Sequence, residues 1–126
     1  MKKGLIALIC VMMLFGTFVF AGGQQDSSSG TPKVAFIPGE MANPSQAFAA
    51  KMFQKYGADY NLDVLILDGK GDAQVQTQLV NNAVGQKVAA IYVNPNDINA
   101  IVPALVKAKA AGVIVGMFSS DVPEQH

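Results

Sequence analysis

The residues able to do chemistry in this chain fall into four short polar runs. They are Pro38-Gly39-Glu40-Met41-Ala42-Asn43-Pro44, Asp68-Gly69-Lys70-Gly71-Asp72, Asn94-Pro95-Asn96-Asp97 and Ser119-Ser120-Asp121. Amide and hydroxyl side chains both donate and accept, and carboxylates accept, so together these runs offer what a neutral, hydroxyl-bearing ligand requires. Taken singly, each of these residues also reads as a helix cap or turn former. Binding becomes the better reading because four such runs recur, each closing an apolar segment.

Catalytic chemistry finds little support. The single His is His126, the last residue, and the single Cys, Cys10, lies in an apolar N-terminal segment. A His-based triad, a Cys nucleophile, a thiolate metal site and a disulfide framework are therefore out of reach. Gly69-Lys70-Gly71 lacks the span of a phosphate-gripping loop. After the first strand only Gly39 stands where a dinucleotide fingerprint would need three glycines, and no Gly-x-Ser-x-Gly elbow occurs. Asp68 and Asp72 bracket one loop, a pattern that more often marks a turn and a cap than a cation site. No metal or cofactor is expected. The chain contains no Arg, and its charges balance to zero, so it has no basic face for nucleic acid. With 51% hydrophobic and 14% charged residues it is not a disordered polyelectrolyte.

The N-terminus reads as a targeting segment. Lys2 and Lys3 precede the apolar run Leu5 to Phe20, and Ala21 follows. This is the pattern of a secretory signal peptide, expected to be cleaved after Ala21. The run falls short of the roughly 20 residues that span a bilayer comfortably. Cys10 lies inside the run rather than after it, which argues against a lipoprotein. Residues 22–31, GGQQDSSSGT, read as a flexible tether. The folded unit is expected over residues 32–126.

The elements that must position the polar runs alternate. Lys33 to Ile37, Leu62 to Leu67, Val88 to Val93 and Val113 to Phe118 are continuous apolar stretches and predict buried strands. Between them the period changes to that of helices. Phe48, Met52, Phe53 and Tyr56 mark the inner face of the first helix, with Ser45 as its N-cap. Val75, Leu79, Ala83 and Val84 mark the second, capped by Asp72. Ile101, Leu105 and Ala108 mark the third, capped by Asp97 or Asn99 and closed by Gly112. Pro103 is expected in its first turn or just beyond. The order βαβαβαβ, with strands apolar throughout, predicts an α/β three-layer sandwich around an open parallel sheet covered on both faces. All four polar runs then lie at the carboxyl ends of the strands, where ligands bind such sheets.

On these features the chain resembles the N-terminal lobe of the type I periplasmic binding proteins, in the ribose-binding-like group that serves sugar ABC transporters. The cues are the signal peptide, Ala42-Asn43-Pro44 before the first helix, Val93-Asn94-Pro95-Asn96-Asp97 after the third strand, the Lys-Ala-Lys-Ala-Ala-Gly helix end and Phe118-Ser119-Ser120-Asp121. The resemblance covers Lys33 to about Pro123. It implies strand order 2-1-3-4, a sugar-like ligand, an ABC permease as membrane partner and no enzymatic activity. It also implies that Asn43 and Asn94 hydrogen-bond ligand hydroxyls. Ser119 and Ser120 stand where ribose binders carry an Asp-Arg pair, and Asp121 is the nearest acid. Ser45 and Gln46 stand where some ribose binders carry stacking aromatics. The candidate ligand-binding set is therefore Glu40, Asn43, Ser45, Asp68, Asn94, Ser119, Ser120 and Asp121, with pentose specificity not implied.

The family closes two lobes over its ligand. This sequence carries most of one lobe and lacks the second, so a partial reading frame and weak sugar binding are expected. Apolar surface left uncovered is expected to favour marginal stability or self-association. Two other readings compete with solute uptake. A sensory module for a chemoreceptor or sensor kinase would have the same fold. A non-functional half-lobe is the other alternative. A flavodoxin-like enzyme or receiver domain fits less well, since Asn94 stands where a receiver needs an aspartate.

Overall fold

The structure, a computed structural model, describes residues 30–118. The proposed signal peptide (1–21), nearly all of the tether (22–31) and residues 119–126 lie outside that range. Seven elements follow in order: β1 (Lys33–Ile37), α1 (Pro44–Asp59), β2 (Asp63–Ile66), α2 (Ala73–Gly85), β3 (Ala90–Val93), α3 (Ile98–Ala110) and β4 (Ile114–Met117). All strand pairs are parallel and the order is β2-β1-β3-β4, as the sequence predicts.

Alternate side chains of each strand face opposite layers. Ala35, Ile37, Ile91 and Val93 turn to one side and pack on Val80 and Ala83 of α2 and on Ile101, Leu105 and Ala108 of α3. These residues form the main core and are nearly free of solvent contact. On the other side Phe36 stacks on Phe53 of α1 with ring centroids 4.4 Å apart.

That second face differs from the expectation of full cover. α1 is the only helix on it among the described residues. Tyr92 and Ile114 stay exposed there, although the Tyr92 ring lies 5.4 Å from that of Phe53 on α1. Phe48 and Tyr56 are also exposed, so the face predicted to be the inner one of α1 is only partly inside, and Ala50 and Gly57 are its buried residues. In α2 Ala83 is fully buried and Leu79 and Val84 pack partly buried on the core, as predicted, but the other fully buried positions are Gln76 and Val80, each one residue later than the predicted Val75 and Leu79.

Helix starts follow from capping. Asp72 Oδ1 accepts from the N–H groups of Gln74 and Val75, and Asp97 Oδ1 from those of Asn99 and Ala100, so Asp97 rather than Asn99 caps α3. The α1 cap is Asn43, not Ser45. Asn43 Oδ1 accepts from the Ser45 backbone N–H at 3.0 Å and from Ser45 Oγ at 2.8 Å. Pro44 at the first helical position moves the start two residues earlier than predicted, because its fixed φ suits that place. Pro103 lies inside α3 just beyond its first turn, within the expected range.

All three helices end alike. Asn61, Lys87 and Gly112 take positive φ of 53°, 57° and 83°. The next residue in each case donates back into the last turn: Leu62 to Gly57, Val88 to Ala83 and Val113 to Ala108. This is the Schellman geometry, with an apolar residue after the left-handed position that sends the chain into the following strand.

Candidate functional site

α1 leaves β1 towards one layer and α2 enters β3 from the other, so the sheet has its switch point between β1 and β3. In an open α/β sheet the crevice at that point, outside the strand carboxyl ends, is where ligands bind. Here it is built from the segments after β1, β2 and β3, held together by side chains at three helix starts or loops.

The central group is Gln76. It lies in the first turn of α2, its side chain aimed back towards the helix N-terminus as helical side chains are. It is fully buried. Its Nε2 donates to the carbonyl oxygens of Asn94 at 2.8 Å and Pro38 at 3.3 Å, and its Oε1 accepts from Asn96 N–H at 2.7 Å. Both amide hydrogens are used, which fixes the orientation of the group. Asn96 continues the network, its Nδ2 donating to the Gly39 carbonyl at 3.0 Å.

Loop one is tied down from its other sides. Gln46, in the first turn of α1, accepts at Oε1 from the N–H of Gly39 and from that of Glu40 at 3.2 Å. Asp68 Oδ1 accepts from Met41 N–H at 3.0 Å and from Lys70 N–H at 2.9 Å. Gly69 N–H donates to Pro38 and Gly71 N–H to Gly39. A side chain at Gly69 would lie 2.6 Å from the Pro38 carbonyl oxygen and 2.7 Å from that of Gly39, so only glycine lets the second loop approach the first this closely.

The structure sorts the predicted contact residues. Asn94 is half-buried, with its backbone pinned by its N–H to Ile37 and its carbonyl to Gln76. Its side chain has no hydrogen bond among the described residues. Glu40 is exposed beside Gly71, its carboxylate open to solvent. Asn43 and Ser45 sit together at the start of α1, with the Asn43 carbonyl and the Ser45 hydroxyl hydrogen engaged with each other and the Asn43 amide nitrogen left over. Asp68 is committed through one oxygen to holding loops one and two. Ser119, Ser120 and Asp121 lie outside the described residues. Asn96 and Gln46, which the sequence places in or beside the polar runs, hold the loops through side-chain hydrogen bonds, and Gln76 lies outside all four runs. Gln76 left one legible signal: it begins the spacing 76, 80, 83 that puts three residues on one helical face, two of them apolar.

An apolar cavity lies elsewhere. A groove of about 540 Å³ runs between α1 and the sheet, near the amino ends of the strands, lined by Val34, Tyr56, Leu62, Tyr92 and Ile114 among others. Its wall is almost wholly apolar, so it offers few partners for ligand hydroxyls. The polar edge at the switch point is the feature whose side chains can pair with ligand hydroxyls.

Comparison with known proteins agrees with this geometry. A family model described as periplasmic binding protein domain matches residues 34–126. The ribose import binding protein RbsB of Bacillus subtilis (strain 168) is 32% identical over 92 residues, which are 71% of this chain and 30% of that protein. LsrB from Clostridium saccharobutylicum, solved in complex with AI-2, superposes with a TM-score of 0.68 at 34% identity, covering 71% of this chain and 28% of its own. An ABC transporter solute-binding protein from Clostridium phytofermentas with bound L-rhamnose gives a TM-score of 0.69 at 28% identity, covering 73% and 29%. The chain therefore spans about 30% of the length of the curated relative it matches. With the family match running from the second residue of β1 to His126 and the strand order in agreement, the chain belongs to the periplasmic binding protein family.

Proposed function

We propose that this protein is an exported solute-binding protein that takes a sugar or similar small polar ligand at the carboxyl ends of its strands and serves an ABC permease. One observation carries the reading. At the switch point, Asn94 presents a side chain with no hydrogen-bond partner among the described residues, on a backbone held from both sides. An amide held in this way can donate to one ligand hydroxyl and accept from another without losing any bond of its own. Asn43, Ser45 and Glu40 border the same edge from loop one. Asp68 acts mainly by shaping that loop. Ser119, Ser120 and Asp121 extend the set in sequence beyond β4.

The named ligands of relatives are ribose, L-rhamnose and AI-2, all small and oxygen-rich. Substrate binding rather than catalysis fits the relatives, which are described as an import binding protein and a solute-binding protein. In this reading residues 1–21 direct export, residues 22–31 tether the lobe, and residues 32–126 form it. A second lobe completes the hydrogen bonds and excludes water, so binding by this lobe is weak. No nucleic acid or cofactor takes part.

The test is an amide-resolved NMR titration of isotope-labelled protein with D-ribose, L-rhamnose and D-allose at millimolar concentration. Saturable shifts centred on Asn94, Asn43 and Glu40, including the Asn94 side-chain amide, are expected with at least one sugar. Shifts absent for all three, or centred on Tyr56 and Tyr92, would overturn the reading.

A further inference from the structure

Among buried side chains Gln76 stands apart. It is the buried polar residue of the described core, and its three hydrogen bonds all end on the segments just past the carboxyl ends of β1 and β3, which flank the switch point. We infer that Gln76 is the positioning residue of the ligand site: its amide sets the spacing and orientation of the β1 and β3 carboxyl ends, and thereby aims Asn94. The inference rests on the proposed site, but concerns a residue that does not itself meet the ligand.

The geometry leaves few substitutes for this group. Pro38 and Asn94 both present carbonyl oxygens towards the same point from adjacent strands. Two acceptors cannot satisfy each other, so a two-hydrogen donor must stand between them. Asn96 presents an N–H from the same loop, which needs an acceptor 2.7 Å away. A primary amide supplies two donors and an acceptor in one planar unit. Serine or threonine carries a single hydrogen, lysine has no acceptor, and an ionised carboxylate has no donor. The burial that makes unmet groups costly also makes a satisfied network rigid. Asn96 then relays the arrangement to loop one through Gly39. One side chain on α2 thus fixes both walls of the crevice.

A stability effect alone would not distinguish positioning from packing, so the experiment pairs Gln76→Leu with Val80→Ala. Val80 is one turn further along the same buried face and points into the core away from the strand ends. Amide hydrogen exchange and the D-ribose, L-rhamnose and D-allose NMR titrations are compared in the two variants and the parent. In Gln76→Leu, exchange at Asn96 is expected to accelerate by about tenfold or more, the equivalent of one lost hydrogen bond. The Gly39 and Asn94 signals are expected to shift, and affinity for any sugar that the parent binds to fall by a similar factor. Val80→Ala is expected to lower the melting temperature while leaving Asn96 protection, beyond the global change, and sugar affinity unaltered. If the two variants alter exchange and binding alike, Gln76 is an ordinary core residue and the inference is wrong. Should the parent bind none of the sugars, the proposed function fails, and the exchange comparison at Asn96, Gly39 and Asn94 still decides the role of Gln76. If Gln76→Leu does not fold, Gln76→Glu gives the same comparison at a pH low enough to protonate it, where a carboxylic acid restores one donor and one acceptor.

Discussion

Asp68 Oδ1 accepts from the backbone N–H of Met41 at 3.0 Å across 27 residues of sequence. The same oxygen accepts from Lys70 N–H within its own loop. One carboxylate oxygen therefore shapes the turn after β2 and binds it to the loop after β1. Asp68→Ala removes both bonds, and a loss of about 1–3 kcal/mol is expected from hydrogen bonds to a charged, part-buried group. Asp68→Asn keeps an acceptor at the same place and should retain most of that stability. Urea unfolding of the pair checks this; equal losses in both variants would show that charge, not the shared acceptor, matters at Asp68.

Lys87 adopts φ 57° at the end of α2, a conformation that costs a residue with a Cβ roughly 1 kcal/mol or more. Gly112 holds the equivalent place after α3. Lys87→Gly should therefore raise stability by about 0.5–1 kcal/mol, less than the full strain because glycine also gains freedom in the unfolded chain. Gly112→Ala should lower it by a similar amount. The urea midpoints of the two variants are expected to move in opposite directions.

Gly69→Ala introduces a methyl group against the Pro38 and Gly39 carbonyl oxygens, which are backbone atoms and cannot rotate away. A cost of about 1–3 kcal/mol is expected, as for overpacking elsewhere. The shift should show first at loop one, in the Glu40 and Met41 amide signals, rather than in the core between the sheet and α3.

The strand order, the parallel pairing and two of three helix caps are legible in the sequence because each depends on local pattern: apolar runs, a change of period, and Asp72 and Asp97 before helical stretches. What the pattern hides is burial that violates it. Gln76 looks like a surface residue, so the inner face of α2 reads one position early; only its hydrogen bonds to Pro38, Asn94 and Asn96 make its burial tolerable. Phe48 and Tyr56 mislead in the opposite sense. They are apolar at helical spacing, yet both remain exposed. The strand-end rule assigns the candidate ligand residues to the carboxyl edge of the sheet. Which side chains there are free, and which are consumed in holding loops, depends on contacts between residues far apart in sequence.

Ile114 is 66% exposed at the first position of the edge strand β4, paired with Ala90, and lines the apolar groove together with Tyr92. An apolar groove of this kind promotes association. Ile114→Lys should leave folding stability within about 0.5 kcal/mol, since the side chain is already in solvent. Concentration-dependent mass in analytical ultracentrifugation should fall in the variant. A parent chain that stays monomeric at the highest concentration tested would contradict this.

Asn43 is the residue at which the structural and ligand roles can be separated. Its Oδ1 caps α1 by accepting from Ser45, while its Nδ2 is the group available to a ligand oxygen. Asn43→Asp keeps the cap and replaces the donor with an acceptor. Asn43→Ala removes both. If the side chain only caps, Asn43→Asp should match the parent in stability and sugar response, and Asn43→Ala should lose about 1 kcal/mol. If it also binds, Asn43→Asp should keep its melting temperature yet lose sugar-induced shifts at Asn94 and Glu40, because the new carboxylate cannot donate to a ligand oxygen. The second outcome is expected. Asn94→Ala should behave like the binding arm alone, losing sugar response with little change in stability, since the side chain it removes has no internal hydrogen bond among the described residues.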